Sequence, residues 1–250
     1  MRSPLLVLLL ALSIPACRRE VPAPPPSVAA APAGARAAAL PTSVAAAPAR
    51  DRVPAEPMSY LGADWLTRQE REVEEQPEVM LNALGLKPGM RVADVGAGVG
   101  FHTLRLARRV TPGGHVWATD IQEEMVSRLR ANVEAAGLSN VTPVLTKPDE
   151  TGLPDGQLDL VLMVDVFHEL AEPERTLAAL RRALAPGGRV ALVEFRAEDP
   201  RVPIKEEHKM SVAQVDAELG AAGFVRVQRF DGLPWQHLLV YSLPASDAGR

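Results

Sequence analysis

The sequence predicts an α/β fold, a doubly wound sheet of about seven strands, mostly parallel, with helices on both faces. Two observations support this prediction. From Tyr60 onward, short β-branched runs alternate with segments whose apolar residues recur at helical spacing, which is the pattern of repeated strand–helix–strand units. Helix-ending residues separate these segments, at Gly137, at Pro186–Gly188 and at Gly223.

The predicted elements follow one another regularly along the chain. A charged amphipathic segment, Asp64–Leu84, comes first and is broken or bent at Pro77. The last two strands are joined by the short segment Asp231–Gln236 and are expected to form a hairpin. Strands are predicted at Arg91–Val95, His115–Asp120, Val141–Leu145, Leu158–Val164, Arg189–Phe195, Val225–Phe230 and His237–Ser242, and helices at about 100–110, 122–136, 173–184 and 211–222.

The N-terminus is predicted to be an export signal, residues 1–17. The apolar run Leu5–Ala16 is too short to span a bilayer and matches the hydrophobic region of a signal peptide. It runs into Ser13–Cys17, which is similar to a bacterial lipobox, so Cys17 is expected to be lipidated and to anchor the protein in the cell envelope on the periplasmic side. An ordinary cleaved signal is one alternative, and a misassigned start, which would leave the protein cytoplasmic, is another.

Composition divides the rest of the chain. Residues 18–57 are rich in Ala and Pro, so they cannot bury enough surface to offset their ordering entropy, and a disordered tether is expected. An N-terminal helical cap, 58–84, a ligand-binding domain, 85–244, and a short tail, 245–250, follow. The net charge of −4 and the lack of a basic block interleaved with aromatic residues argue against nucleic acid as a partner.

The most informative motif is Val92–Gly100, which reads VADVGAGVG. A buried strand would end in Asp94, and the glycines after it allow a tight turn that delivers a ligand to the N-terminus of the next helix. A dinucleotide fingerprint requires glycine at position 101, where Phe101 stands, and this argues against a nicotinamide oxidoreductase. The pattern is D-x-G-x-G-x-G, and Asp120 ends the following strand.

These motifs, with Leu184–Val190 (LAPGGRV) before the fifth strand, resemble the class I S-adenosylmethionine-dependent methyltransferases, a Rossmann-like family. The resemblance covers roughly Leu84–Leu243. It implies S-adenosylmethionine as the cofactor, an antiparallel last strand, and methyl transfer to a small-molecule acceptor. The alternative is a non-catalytic domain that binds S-adenosylmethionine or a nucleoside in the cell envelope, since the cofactor is made in the cytosol.

The resemblance also implies which residues contact the cofactor. Asp94 and the glycine turn would hold its methionine end, and Asp120 would accept hydrogen bonds from both ribose hydroxyls. A residue beside Asp120 would pack on the adenine, and an acidic residue after the fourth strand would lie near the methyl donor. The implied cofactor-binding residues are Asp94, Gly96, Ala97, Gly98, Gly100, Asp120, Ile121, Asp149 and Asp165.

Catalytic candidates follow from the strand order. Methyl transfer needs mainly alignment and exclusion of water, and a general base matters only when the acceptor is protonated. The candidates lie at or beyond the carboxyl ends of the fourth and fifth strands, and they are His168, Glu194, His208 and Glu169. In the predicted hairpin, Trp235 and His237 are candidates for substrate contact.

A metal site is not expected. Asp165, His168 and Glu169 could surround an ion on one turn, but no further ligand supports that set. Cys17 is the only cysteine, so a thiolate cluster and an internal disulfide are excluded.

Overall fold

A computed structural model describes residues 53–148 and 150–245. Cys17, the predicted signal, most of the predicted tether and Asp149 lie outside the described residues. The strands are β1 (Arg91–Val95), β2 (His115–Asp120), β3 (Val141–Leu145), β4 (Leu158–Val164), β5 (Leu184–Arg196), β6 (Lys209–Met210), β7 (Val225–Phe230) and β8 (Gln236–Ser242). The helices are α1 (Arg71–Glu74), α2 (Pro77–Ala83), α3 (Thr103–Val110), α4 (Glu123–Ala135), α5 (Pro173–Ala183) and α6 (Val212–Ala221).

The strands form a single mixed sheet with the order β3-β2-β1-β4-β5-β8-β7, and β6 pairs with the end of β5. The pairs among β1 to β5 are parallel, and β8 runs antiparallel to both of its neighbours. The predicted fold class is therefore confirmed. The chain reverses its direction of winding between β1 and β4, which is where ligands bind in open α/β sheets.

The side chains of β4 point alternately to the two faces of the sheet, and helices cover both faces. Val161 and Met163 pack with residues of α5 and α6 in one apolar core. Leu160 and Leu162 point to the opposite face, where α2 and α3 complete a second core. All four side chains are fully buried, as a strand covered on both faces requires.

The structure differs from the predicted elements most clearly in three places. The segment before β1 is not one broken helix but a 3-10 helix, Tyr60–Thr67, followed by α1 and α2, and the chain changes direction at Gln76, whose φ is 49°. The proline ring makes the α-helical conformation unfavourable for the residue before it, and this explains the break at Pro77. β5 begins at Leu184 rather than Arg189, because Leu184 pairs with Leu158 before a shift in register. β6 has two residues and is too short to show a periodic pattern.

The predicted tether extends too far. Residues 54–57 line the cavity described below, and the Ala55 N–H donates to the His168 carbonyl oxygen at 3.2 Å. The neighbouring Met58 carbonyl oxygen accepts a hydrogen bond from Gln122 Nε2, and Gln122 Oε1 accepts one from the Tyr60 N–H. Backbone pairing and burial of Ala55 hold this stretch on the domain despite its composition. Within the described ranges, no helix is both long enough and apolar enough to cross a membrane.

Candidate active site

The glycine turn after β1 bends over the end of β2. The Gly96 and Ala97 N–H groups both donate to the Thr119 carbonyl oxygen at 2.9 Å, and the Gly98 N–H donates to Asp120 Oδ2 at 2.8 Å. Gly96 and Gly98 have φ values of 73° and 53°. A Cβ on Gly96 would lie 2.4 Å from a methyl carbon of Val166, so the turn requires glycine there for both its conformation and its space.

Asp120 is held in one orientation. Besides the bond from Gly98, its Oδ1 accepts from the Gln122 N–H at 2.9 Å. Burial raises the pKa of this carboxyl, and the backbone N–H donors oppose that rise. Each carboxylate oxygen retains a further lone pair for a ligand, and the residue lines a cavity. Asp120 is thus a fixed acceptor at the end of β2.

Asp94 lies at the end of β1, beside the same cavity. The Thr103 hydroxyl donates to its Oδ2 at 2.6 Å. Burial raises the pKa of Asp94 to about 6, although the Thr103 hydrogen bond and the Arg71 guanidinium act in the opposite direction. A buried carboxylate of this kind is stabilised when a cationic group approaches it.

The cavity has a volume of about 520 Å³, which is in the range of small-molecule sites. It lies at the carboxyl ends of β1, β2 and β4, where the winding reverses. The glycine turn and the loop after β3 form parts of its wall, and Pro54–Met58, the 3-10 helix Tyr60–Thr67 and α1 each contribute lining residues. Its lining is mostly apolar, with a few acidic and imidazole side chains, so it suits a ligand with an apolar body and polar ends.

Asp165 follows β4 in an unusual conformation. Its φ is 54°, in the left-handed region that few residues other than glycine adopt. Its Oδ2 accepts from Gln236 Nε2 at 2.7 Å, whereas Oδ1 is buried and has no hydrogen-bond partner among the described residues. Burial raises the pKa of Asp165 well above its usual value, and the nearby carboxyl groups of Glu75 and Glu194 raise it further. Strain and an incomplete set of hydrogen bonds on one cavity-lining residue are typical of a ligand site.

Arg71 brings a positive charge to the lining, near Asp94 and Asp165. It is buried, its Nε donates to Glu75 Oε2 at 2.7 Å, and its Nη1 donates to the Leu66 carbonyl oxygen at 2.8 Å. Its Nη2 lies 3.4 Å from His102 Nε2, and burial, with the neighbouring positive charge, lowers the pKa of His102 well below its usual value. The cavity therefore has a fixed cation within its largely apolar lining.

His168 is part of a buried polar chain. Its Nδ1 lies 2.6 Å from Glu194 Oε2, and Glu194 Oε1 accepts from the Phe167 N–H at 2.8 Å. On the other side, His168 Nε2 lies 3.1 Å from His208 Nδ1. Burial alone would lower the pKa of His168, but the Glu194 carboxylate outweighs it and the pKa is raised. Burial and the facing His168 lower the pKa of His208.

The chain is similar in sequence to known methyltransferases. A family model described as a methyltransferase domain matches residues 92–188. A ubiquinone/menaquinone biosynthesis C-methyltransferase of Cupriavidus taiwanensis is 36% identical over 112 residues, which are 44% of this chain and 45% of that protein. The corresponding protein of Bordetella avium is 31% identical over 129 residues, 51% of this chain and 50% of that protein. The chain thus spans about half the length of the curated relatives it matches.

A solved structure covers more of the fold. The crystal structure of an S-adenosylmethionine-dependent methyltransferase from Aquifex aeolicus is 30% identical, covers 74% of this chain and 98% of its own, and superposes with a TM-score of 0.70. The chain belongs to the S-adenosylmethionine-dependent methyltransferases. The cofactor of this family is S-adenosylmethionine, and the residues present fit it: a glycine turn, a fixed acceptor carboxylate at Asp120 and a partly unpaired buried carboxyl at Asp165 border one cavity.

Most of the cofactor-binding residues predicted for this methyltransferase come together. Those that line the cavity are Asp94, Gly96, Ala97, Gly98, Asp120, Ile121 and Asp165. Gly100 does not line it and has a packing role instead, because a Cβ there would lie 2.5 Å from Leu129 Cδ1 of α4. Asp149 lies outside the described residues, and its neighbours Pro148 and Glu150 belong to the lining.

The catalytic candidates of the methyltransferase separate into two kinds. His168 and His208 line the cavity, whereas Glu194 is fully buried beneath His168 and does not reach it. Glu194 is therefore a positioning residue, because its contact with the cavity passes through the imidazole of His168. Its orientation is fixed in turn by the Phe167 N–H.

Trp235 and His237, predicted as substrate contacts, are not among the residues that line the cavity. His237 is buried in β8 opposite Glu194 of β5, and burial lowers its pKa. β8 lies beyond β5, whereas the cavity lies where β1 and β4 meet, so this correction follows from the strand order. The residue between the two, Gln236, is the one that reaches the site, through its bond to Asp165.

Other residues of the methyltransferase site are only weakly marked in the sequence. Arg71 lies in the charged segment before β1, for which the family resemblance implies a cover over the cofactor pocket, but pairing of charges on the surface explains it equally well. Glu169, which follows His168 directly, lines the cavity, and burial raises its pKa to about 7. The composition of residues 54–57 predicts a tether rather than a part of the site. Gln236 is the one of these residues that the sequence could have indicated, because a polar residue in a buried strand usually has a specific partner.

Proposed function

We propose that the protein transfers a methyl group from S-adenosylmethionine to a small-molecule acceptor bound in the cavity. The observation that carries this proposal is the convergence of the glycine turn, Asp94, Asp120, Asp165 and His168 on one cavity at the reversal of winding. When bound, S-adenosylmethionine supplies an electrophilic methyl group on a sulfonium. The chain's own residues then bind, orient and shield the reactants, which is most of what this reaction demands.

Each end of the cofactor has a suitable partner. Asp94 offers a buried carboxylate for the ammonium group, and the Arg71 guanidinium offers a positive charge for the carboxylate. Asp120, fixed by two backbone N–H groups, offers acceptors for the ribose hydroxyls. Ile121 is 42% exposed although it is a large apolar residue at the cavity, and it offers a surface for the adenine.

We assign the part of the cavity lined by His168 to the methyl acceptor and call it the acceptor side. The His168 Nδ1 proton is directed to Glu194, so the Nε2 lone pair faces His208 at the cavity wall, and this pair of imidazoles can take up a proton from an acidic group of the acceptor. Apolar residues, including Leu170, Phe195 and Ile204, line the cavity with it. These features favour an acceptor that has an apolar body and one ionisable hydroxyl or comparable group.

The direct test is calorimetric titration of the purified chain with S-adenosylmethionine, S-adenosylhomocysteine and NADH. Binding of the first two with micromolar dissociation constants, and none of NADH, is expected, because the site offers separate partners for the amino-acid end, the ribose and the base. Failure to bind either sulfur compound would refute the proposal.

The affinity for S-adenosylmethionine should depend on pH through Asp94. The group must be ionised to bind an ammonium, and its pKa in the folded chain is about 6. Affinity is therefore expected to be full well above pH 6 and to decrease as the pH falls through that value. Titrations across this range measure it, and Asp94→Asn should bind more weakly and with a flatter pH profile; an unchanged profile in that variant would assign the effect to another group.

We also propose that Cys17 is lipidated and holds the protein at the periplasmic side of the cell envelope. The support is the short apolar run before a lipobox-like Ser13–Cys17, and the alternative is a cytoplasmic protein. Cys17→Ser should move the protein from the membrane fraction to the soluble fraction and abolish incorporation of labelled palmitate. Ser43→Ala, which lies in the predicted tether outside the lipobox-like motif, is the control. Continued membrane attachment of the serine variant would contradict the proposal.

A further inference from the structure

Three potential metal ligands meet at the acceptor side of the cavity. His168 and Glu169 belong to the 3-10 helix Phe167–Glu169 after β4, and His208 ends the 3-10 helix Glu206–His208 after β5. One ligand atom from each of the three lies within 4.8 Å of the other two. All three residues line the cavity, so an ion between them would be accessible to a ligand bound there.

The distance between the two imidazoles suits a shared ion. His168 Nε2 and His208 Nδ1 are 3.1 Å apart. Two nitrogens bound to one metal at about 2.1 Å lie roughly 3.0–3.4 Å apart when the angle at the metal is between a right angle and a tetrahedral angle. The same separation allows a hydrogen bond in the metal-free chain, and an ion would replace that single shared proton once both rings turn their lone pairs towards it.

Glu194 prepares His168 to act as a ligand. The carboxylate of Glu194 is fully buried, accepts the Phe167 N–H through one oxygen and lies 2.6 Å from His168 Nδ1 through the other. This contact keeps the proton on Nδ1, so Nε2 presents its lone pair towards His208. A carboxylate behind a histidine is the usual support of a metal-ligating imidazole, because it fixes the tautomer and the ring orientation.

Glu169 supplies the negative charge of the set. Its carboxyl is largely buried at the cavity wall, where the Met58 N–H donates to it and His168 is its neighbour, and no lysine or arginine of the described chain forms an ion pair with it. Burial of a carboxylate with so little compensation is costly, and a bound cation would offset that cost. His208, which follows a different strand, adds the further ligand that the turn after β4 does not supply by itself.

We propose that His168, Glu169 and His208 bind a divalent transition-metal ion at the wall of the cavity. Two imidazoles and one carboxylate favour ions such as Zn²⁺ or Co²⁺ over Mg²⁺ and Ca²⁺, which prefer oxygen ligands. Three protein ligands leave at least one coordination position for water or for an oxygen atom of the acceptor. The binding of the ion stands independently, whereas its role towards an acceptor oxygen rests on the proposed methyl transfer.

Metal titration of the untagged, chelator-treated chain, without cofactor, tests the site. Calorimetry with ZnCl₂ should show one ion per chain, and Co²⁺ should give visible absorption bands typical of a site with nitrogen ligands. His208→Ala and Glu169→Gln should each lower the Zn²⁺ affinity by at least about tenfold, and Glu194→Gln by about 10- to 100-fold. His115→Ala is the matched control, because that histidine begins β2 and contacts Thr142, and it should bind Zn²⁺ as the unaltered chain does.

Two outcomes would overturn the metal site: no saturable Zn²⁺ binding by the unaltered chain, or equal binding by the His208→Ala and His115→Ala variants. Circular dichroism of each variant confirms that the fold is retained, and Co²⁺ absorption gives a second readout that does not depend on enthalpy. Titration of the same chelator-treated chain with S-adenosylmethionine separates the two proposals. If the chain binds S-adenosylmethionine but not Zn²⁺, the metal site is refuted. If it binds Zn²⁺ but not S-adenosylmethionine, the proposed function is refuted.

Discussion

Replacing Asp120 by alanine is expected to lower the affinity for S-adenosylmethionine by about 30- to 1,000-fold, or about 2–4 kcal/mol. The change removes a charged acceptor that would bind two ribose hydroxyls. It also removes the acceptor of the Gly98 and Gln122 N–H groups, which fix the glycine turn and the start of α4. Calorimetric titration at a pH near 8 measures the effect.

Two further variants separate ligand contact from support of the turn. Asp120→Asn retains an oxygen that can accept one of the two backbone N–H groups, so it should keep the fold and bind the cofactor with intermediate affinity. Asp64→Ala is the matched control, because its side chain is 99% exposed and, among the described residues, pairs only with an exposed Arg128. If Asp120→Ala bound S-adenosylmethionine as tightly as Asp64→Ala, Asp120 would not be a cofactor residue.

The fold was predictable because its signals are local. The bounds of β1 to β4 agree with the prediction, since each is a short aliphatic run between turn residues. The segment before β1 was not predictable in this way. Its charged, amphipathic pattern fits a helix, and the division into three pieces depends on packing, with Leu66 against the glycine turn and Arg71 buried near His102.

The site was predictable only where one motif contains it. Asp94, the glycines and Asp120 lie within a strand–turn–helix–strand unit, so their spacing in sequence determines their proximity. Contacts between distant segments had no such signal. Gln236 reaches Asp165 across 71 residues, and His208 reaches His168 across 40, and each pairing depends on which strands become neighbours in the sheet.

Asp165→Asn is expected to stabilise the chain while it weakens cofactor binding. Burial raises the pKa of Asp165 well above its usual value, so the folded chain binds this proton more tightly than the unfolded chain. The contribution of Asp165 to the free energy of unfolding therefore decreases as the pH rises from the ordinary carboxyl pKa, about 4, through the raised value. Asparagine has no proton to lose, tolerates the left-handed conformation, and can still accept from Gln236.

The variant should therefore exceed the unaltered chain in free energy of unfolding by about 1–3 kcal/mol above the raised pKa, and lose that advantage as the pH approaches about 4. Urea unfolding at several pH values measures the difference, with Asp64→Asn as the exposed control. The affinity for S-adenosylmethionine should fall in the same variant, because a carboxyl left strained and partly unpaired is useful only to a ligand. A variant that is both less stable and unchanged in cofactor affinity would make Asp165 a residue of the scaffold, and the methyl-donor end of the site would have to be assigned elsewhere.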